Sequence, residues 1–321
     1  MSSNAFTRRD FLASSAVAAV AGAMGRPAIA RAWQSQQPQQ GAATPAPQAT
    51  PVFTPIRRNV GYFTMRGGTI GYLINPSGVV VVDSQYPAEA KVCLDGLNER
   101  SKNLPIALLV NTHHHHDHSD GNVSFRGAAK KVVAHARAAE LMKAPPGDRP
   151  PADQLYPDTT FDKDWSEAVG DEKISAVFHG PAHTSGDVTV TFEKANVVHM
   201  GDLGFNQRHP VVDRAAGASI KNWSRVLTAV TRAHSHDTIY IFGHANTGLP
   251  QAGDETVLLR FRDYLDALLA FVQGQLKSGK TKDEVLAMRD PLKGFETFGR
   301  FGAAGPREAL TVAVEESIAG S

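Results

Sequence analysis

NTHHHHDHSDGN, residues 111–122, places five histidines and two aspartates within twelve positions. Neutral imidazole is the commonest protein ligand for transition metals, so the stretch reads first as part of a metal site. Four consecutive histidines cannot all face one ion, however. In extended backbone, side chains at i and i+2 point the same way. His113 and His115 therefore share one side and can share one metal, while His114 and His116 face elsewhere and read as solvated loop residues. Asp117 and His118 are adjacent and diverge in a strand. A tight turn through Ser119-Asp120-Gly121 is the expected device for bringing both onto a second ion.

Two ions need more donors than this stretch holds, and the chain offers them after later strands. Short apolar, β-branched runs predict strands at 69–74, 79–83, 106–111, 131–136, 174–179, 188–193, 196–202 and 238–243. Helices are expected at 88–100, 136–143, 220–234 and 255–277, with two shorter ones at 282–289 and 307–318. In 255–277, Leu258, Phe261, Leu265, Leu268 and Val272 follow helical spacing and give one apolar face. Strands in the middle with helices around them point to sheets covered by helices in one continuous domain. Asp83, His113, His183, Asp202 and His244 each stand just after a predicted strand. Strand ends on one rim of a sheet converge in space, and loops held by a rigid scaffold are where sites form. His135, His179 and His199 lie in apolar strands and read as core histidines. His209, His234 and His236 lack ligand spacing and read as loop or helix-end residues.

Taken in order, Asp83, HHHHDH at 113–118, GPAHTSGD at 180–187, MGD at 200–202 and GHA at 243–245 resemble the metallo-β-lactamase superfamily. The resemblance spans roughly residues 58–250. It implies an α+β fold, a four-layer αβ/βα sandwich of two mixed β-sheets flanked by helices, with the metals at one edge. Carried over position by position, His113, His115 and His183 would hold the first metal, Asp117, His118 and His244 the second, and Asp202 would bridge both. Asp83 would orient the ligand-bearing loops from behind. One departure matters: the most familiar antibiotic-cleaving members have Cys where Asp202 stands, and Cys93 does not match that place. An Asp there resembles the broader hydrolase branch of glyoxalase II-type thioesterases, lactonases and phosphodiesterases. The loop 203–214 follows the bridging Asp, which makes Asn206 and Arg208 candidate substrate contacts, together with Tyr86.

His and carboxylate donors suit zinc best, and manganese and iron also fit. Two such divalent ions would hold a bridging hydroxide at neutral pH, and one would polarise the substrate carbonyl. Asp117 would then be both ligand and catalytic group, orienting the hydroxide and shuttling its proton. The expected activity is hydrolysis of a small ester, thioester, lactone or amide. β-Lactamase activity on antibiotics is the leading alternative. A mononuclear iron enzyme resembling the persulfide dioxygenases and a non-catalytic metal-binding protein with the histidine run as a surface chelator are the others.

The ends of the chain set its expected location. Residues 1–32 carry a twin arginine (Arg8, Arg9), an Ala-rich stretch and an Ala-Arg-Ala sequence at 30–32, resembling a twin-arginine export signal. A periplasmic or otherwise exported protein is expected. Residues 33–56, rich in Gln, Pro and Ala, read as a flexible linker, and 57–321 as the domain resembling the metallo-β-lactamase fold, with C-terminal helices. The 321 residues are 42% hydrophobic and 20% charged with a net charge of +1, and no basic stripe favours nucleic acid. Beyond the signal no apolar run is long enough for a conventional membrane span. The single Cys93 cannot form an internal disulfide and reads as a small buried hydrophobe. Nothing in the pattern signals an oligomeric state. If the histidine run were only a surface chelator, changing His183 or Asp202 to Ala would leave metal binding nearly intact. We expect loss of metal and activity instead, checked by metal quantification of the purified variants.

Overall fold

The four consecutive valines at 79–82 show how the layers arise. Successive side chains of a strand point to opposite faces. Val80 and Val82 join Leu108, Val110 and Val133 in a core between two sheets. Val79 and Val81 join Ile106, Leu109 and Val132 in a second core, on the other face of the same sheet. A strand buried on both faces reads as a continuous apolar run, and this one does.

The structure, a computed structural model, describes residues 49–145 and 152–319. The export signal expected at 1–32 lies outside the described residues, as does the linker up to residue 48. Among the described residues, β1 (Val52–Arg57), β2 (Val60–Thr64), β3 (Ile70–Asn75), β4 (Gly78–Val82), β5 (Ile106–Asn111), β6 (Val132–His135) and β7 (Thr159–Phe161) form one sheet in chain order. Its first four strands pair antiparallel and its last four parallel, so the sheet is mixed. The second sheet uses β8 (Asp164–Val169), β9 (Glu172–Phe178), β10 (Val188–Phe192) and β11 (Val197–His199). β12 (Phe205–Asn206) follows and pairs with β14 (His244–Ala245), while β13 (Ile239–Ile241) and β15 (Ala252–Gly253) complete the second sheet beside β11.

The helices are α1 (Pro87–Ser101), α2 (His116–Ser119), α3 (Ala136–Lys143), α4 (Ile220–Ala233), α5 (Glu255–Lys277), α6 (Lys282–Leu286) and α7 (Ala309–Ala319). Pro87 opens α1, where a missing N–H costs nothing. Ala90, Cys93 and Leu97 then dock on the outer face of the first sheet, so Cys93 is buried there with a free thiol. On the far side, Trp223 and Leu227 of α4, Phe261, Leu265 and Leu268 of α5 and Val312 of α7 pack on Val198, Tyr240 and Phe242. Helix, sheet, sheet and helix make the four layers of a mixed α+β sandwich. No helix among the described residues is long and apolar enough to cross a membrane.

Three differences from the sequence reading have physical causes. The first strand begins at Val52, inside the stretch expected to be linker. An edge strand tolerates proline, and the register shifts between Pro55 and Arg57. The edge strands β7 and β8 were not expected, because β8 alternates exposed and half-buried residues instead of forming an apolar run. The strand expected at 196–202 stops at His199, and a 3-10 turn at Gly201–Leu203 carries Asp202 off the sheet. Phe192 is fully buried between the two sheets. Phe192→Ala should therefore lower stability by about 3–5 kcal/mol, read as a fall in the denaturant midpoint.

Candidate metal centre

The loops after β4, β5 and β11, the β9–β10 loop, and β14 meet at one rim of the sandwich. Asp83 leaves β4 in the left-handed region, with φ of 63°. Its buried carboxylate accepts the Thr112 N–H at 2.7 Å, the Thr112 hydroxyl at 2.7 Å and His118 Nδ1–H at 2.8 Å. The Thr112 hydroxyl proton is spent on Asp83, so its oxygen accepts from His113 Nδ1 at 3.0 Å. One carboxylate thus sets the tautomer of two imidazoles, His118 directly and His113 through Thr112.

Two further rings are held the same way. His183 Nδ1 donates to the Val211 carbonyl at 2.8 Å, and His115 Nε2 donates to Asp213 at 2.9 Å. The inner nitrogens then face each other with lone pairs. His183 Nε2 and His115 Nδ1 are 2.8 Å apart, and the buried His113 Nε2 has no hydrogen-bond partner. Donor atoms of His113, His115, His183 and Asp202 lie within 4.8 Å of one another, as do those of Asp117, His118 and His244. Asp202 stands between the groups: Oδ2 is 3.3 Å from His183 Nε2, and Oδ1 is 3.0 Å from His118 Nε2 and 3.4 Å from His244 Nε2. Asp117 Oδ2 lies 3.1 Å from His244 Nε2. In the first group, lone pairs converging on a buried point without a proton between them suit a divalent cation, and in the second, two imidazoles facing two carboxylates suit one as well. Close approach is built in, since a Cβ on Gly243 would strike Asp202 Oδ1 and one on Gly68 would strike the His118 ring.

Charge follows position. Burial, helped by the neighbouring His118, pushes His113 well below the usual imidazole range, and burial takes His183 down to about 3. Both are neutral at pH 7, the state in which an imidazole can bind a metal. Burial also disfavours charge on His118, but the carboxylates of Asp202, Asp117 and Asp83 outweigh it and raise that ring well above its ordinary value. Burial raises Asp202, yet His244, His118 and His183 prevail and hold it well below the carboxylate range.

Asp117 and His118 are not brought round by a turn after them. α2 starts at His116, with His115 extended at its N-cap, and the helical step between neighbours aims both residues inward. His114 is not solvated either: it is 4% exposed, its nitrogens have no hydrogen-bond partner, and burial lowers it to about 2. His116 borders the site with Nδ1 3.0 Å from Asp120 Oδ1. His135 and His199 are buried and hydrogen-bonded to the carbonyls of Asp162 and Thr69, whereas His179 is only half-buried, just beyond the end of β9.

A cavity of about 290 Å³ opens over the donors, lined also by Tyr86, His116, Arg208, His209, Val211 and Arg307. Asn206 does not line it. Its side chain donates to the Pro250 carbonyl, because β12 is held against β14. His209, expected to be an idle loop residue, is a wall of the cavity. Asp213 and Arg307 carried no ligand spacing and were missed; nothing short of the fold places Asp213 beside His115 or Arg307 beside Asp213.

Residues 65–249 match the family described as the Metallo-beta-lactamase superfamily. The metallo-β-lactamase IND-1 of Chryseobacterium indologenes is 25% identical over 174 residues, 54% of this chain and 70% of that protein. A hydroxyacylglutathione hydrolase of Pelagibacter ubique is 32% identical over 121 residues, 37% of this chain and 44% of its own length. A solved metallo-β-lactamase from Pontibacter korlensis shares the fold with a TM-score of 0.56 at 21% identity, covering 68% of this chain and 99% of that one. The chain belongs to the metallo-β-lactamase superfamily and is a metal-dependent hydrolase.

The Asp83 relay and the charge on His118 each have a measurable consequence. Asp83→Asn should weaken metal binding by about 10–100-fold, read by competition with a chromophoric chelator. A cation on the His118 cluster must displace the proton those carboxylates retain at pH 7. Loading should therefore release protons near neutrality and weaken as pH falls, which calorimetry in buffers of different ionisation enthalpy will show.

Proposed function

We propose that the chain is a dinuclear, zinc-dependent hydrolase of a small ester, thioester, lactone or amide. One observation carries the dinuclear reading: the Asp202 carboxylate divides its oxygens between the two donor clusters. Three imidazoles with a carboxylate on one side, and two imidazoles with two carboxylates on the other, are donor sets that suit zinc. Two ions held by these residues would supply a nucleophile from water at neutral pH and a Lewis acid for the carbonyl oxygen.

The residues of the chain do the rest. Asp117 faces the cavity with its carboxylate held ionised: burial raises it, but His118 and His244 outweigh burial. It is placed to take and return a proton at Oδ2. Burial and the Asp117 charge raise the Tyr86 phenol, so it stays a neutral donor on the cavity wall. Arg208 brings positive charge to the same wall, which suits a substrate with an anionic end. Export by the twin-arginine route belongs to the proposal, supported by Arg8-Arg9 ahead of the Ala-rich stretch.

β-Lactam hydrolysis is the second reading, favoured by the likeness to IND-1 over 70% of that protein. Asp202 at the bridging place and the likeness to a hydroxyacylglutathione hydrolase favour the first. Metal quantification with a panel of lactone, thioester, phosphodiester and chromogenic β-lactam substrates separates them. We expect about two zinc per chain, turnover of thioester or lactone, and a loss of roughly 10²–10⁴-fold in kcat for Asp117→Asn. Turnover of the β-lactam alone would promote the second reading. About one iron per chain without zinc would overturn both.

A further inference from the structure

The outward nitrogens of His115 and His183 both end on one short loop. Asp213 Oδ2 accepts from His115, and the Val211 carbonyl accepts from His183. The orientation of two donors in the first cluster therefore depends on whatever holds residues 211–213.

Much of that hold comes from a segment beyond the family match, which ends at residue 249. The Val212 N–H donates to the Arg307 carbonyl at 3.0 Å, and Val211 bridges antiparallel to Glu308. The Arg307 guanidinium lies 3.1 Å from Asp213 Oδ2, the oxygen that accepts from His115. Upstream in the loop, His209 is gripped between Glu308 Oε1, at 2.7 Å from its Nε2, and the Tyr264 hydroxyl at its Nδ1. Its backbone N–H donates to the Phe298 carbonyl at 3.0 Å. Glu308 is itself fixed by the Thr311 N–H at the start of α7.

We propose that Arg307 and Glu308 are positioning residues for the first metal-donor cluster, acting on His115 through Asp213 and on His183 through Val211. This rests on the reading of that cluster as a metal site. Arg307 sets where Asp213 Oδ2 sits, and Glu308 anchors the loop through His209. Neither touches the donor nitrogens. The C-terminal segment, which looks like decoration on the sequence, is a back wall of the centre.

The test compares the wild-type chain with R307M, R307K and E308Q, each loaded with zinc or cobalt. Zinc affinity is read by competition with a chromophoric chelator, site geometry by the visible spectrum of the cobalt form, and stability by melting of the metal-free protein. For R307M we expect about tenfold weaker zinc binding at one of the two sites and an altered cobalt spectrum. R307K should recover most of both, because a cation again meets Asp213. E308Q keeps the shape and loosens the His209 anchor, so a smaller shift of the same sign is expected. It also provides the reading if R307M does not fold. Unchanged zinc affinity and cobalt spectrum in both variants, with only the melting temperature lowered, would show a merely structural strap and overturn the proposal. A wild-type chain that binds no zinc or cobalt would instead overturn the metal reading beneath it.

Discussion

The centre depends on a buried carboxylate that accepts three hydrogen bonds. Asp83 is fully buried, and an ionised carboxylate there is costly unless its oxygens are satisfied. The Thr112 amide, the Thr112 hydroxyl and His118 satisfy them. Charge-assisted bonds of this kind are about twice as strong as neutral ones, so the three compensate desolvation and tie two loops together. The left-handed backbone at Asp83, and again at Gln85, is the local strain the arrangement carries. Gln85 donates to the Gly68 carbonyl, which keeps the loop beneath the His118 ring in place.

From that tie the layering takes on a functional meaning. β4 and β5 are adjacent and parallel, so both deliver their following loops to the same rim. β11 and β13 are also parallel neighbours and bring Asp202 and His244 to one end of the second sheet. Two sheets with their inner faces packed together then place the two pairs of loops opposite each other. The donors meet because rigid strands aim flexible residues, and the apolar cores on three levels supply the rigidity. Burial in turn keeps His113 and His183 neutral and ready to bind, whereas His118, surrounded by three carboxylates, is raised.

The outer ring of contacts has a different origin from the donors. Thr112 and Asp83 belong to the strand ends, but Val211, Asp213, His209 and Arg307 come from a long loop and the C-terminal segment. That segment also caps α4, since Glu316 accepts the Ile220 and Lys221 N–H groups at 2.9 and 3.0 Å. Decoration and core are therefore coupled through backbone hydrogen bonds as well as side-chain packing.

Much of this was legible in the sequence because it is written in local patterns. Continuous valines announce a strand buried on both faces, alternating histidines announce a shared side, and motifs repeated after strands announce a rim. The parts that were not legible depend on distance across the fold. A polar edge strand such as β8 has no apolar run to betray it. The inward aim of Asp117 and His118 came from a helix too short to show periodicity. His114 is buried in the folded chain, and Asp213 meets His115, and Arg307 meets Asp213, only through tertiary packing. The sequence by itself determined the apolar strands of the core, which residues carry donor atoms and in what order. Tertiary structure decided which ring nitrogen of His115, His118 and His183 faces inward, because the acceptor that sets each of these tautomers is brought from elsewhere in the chain.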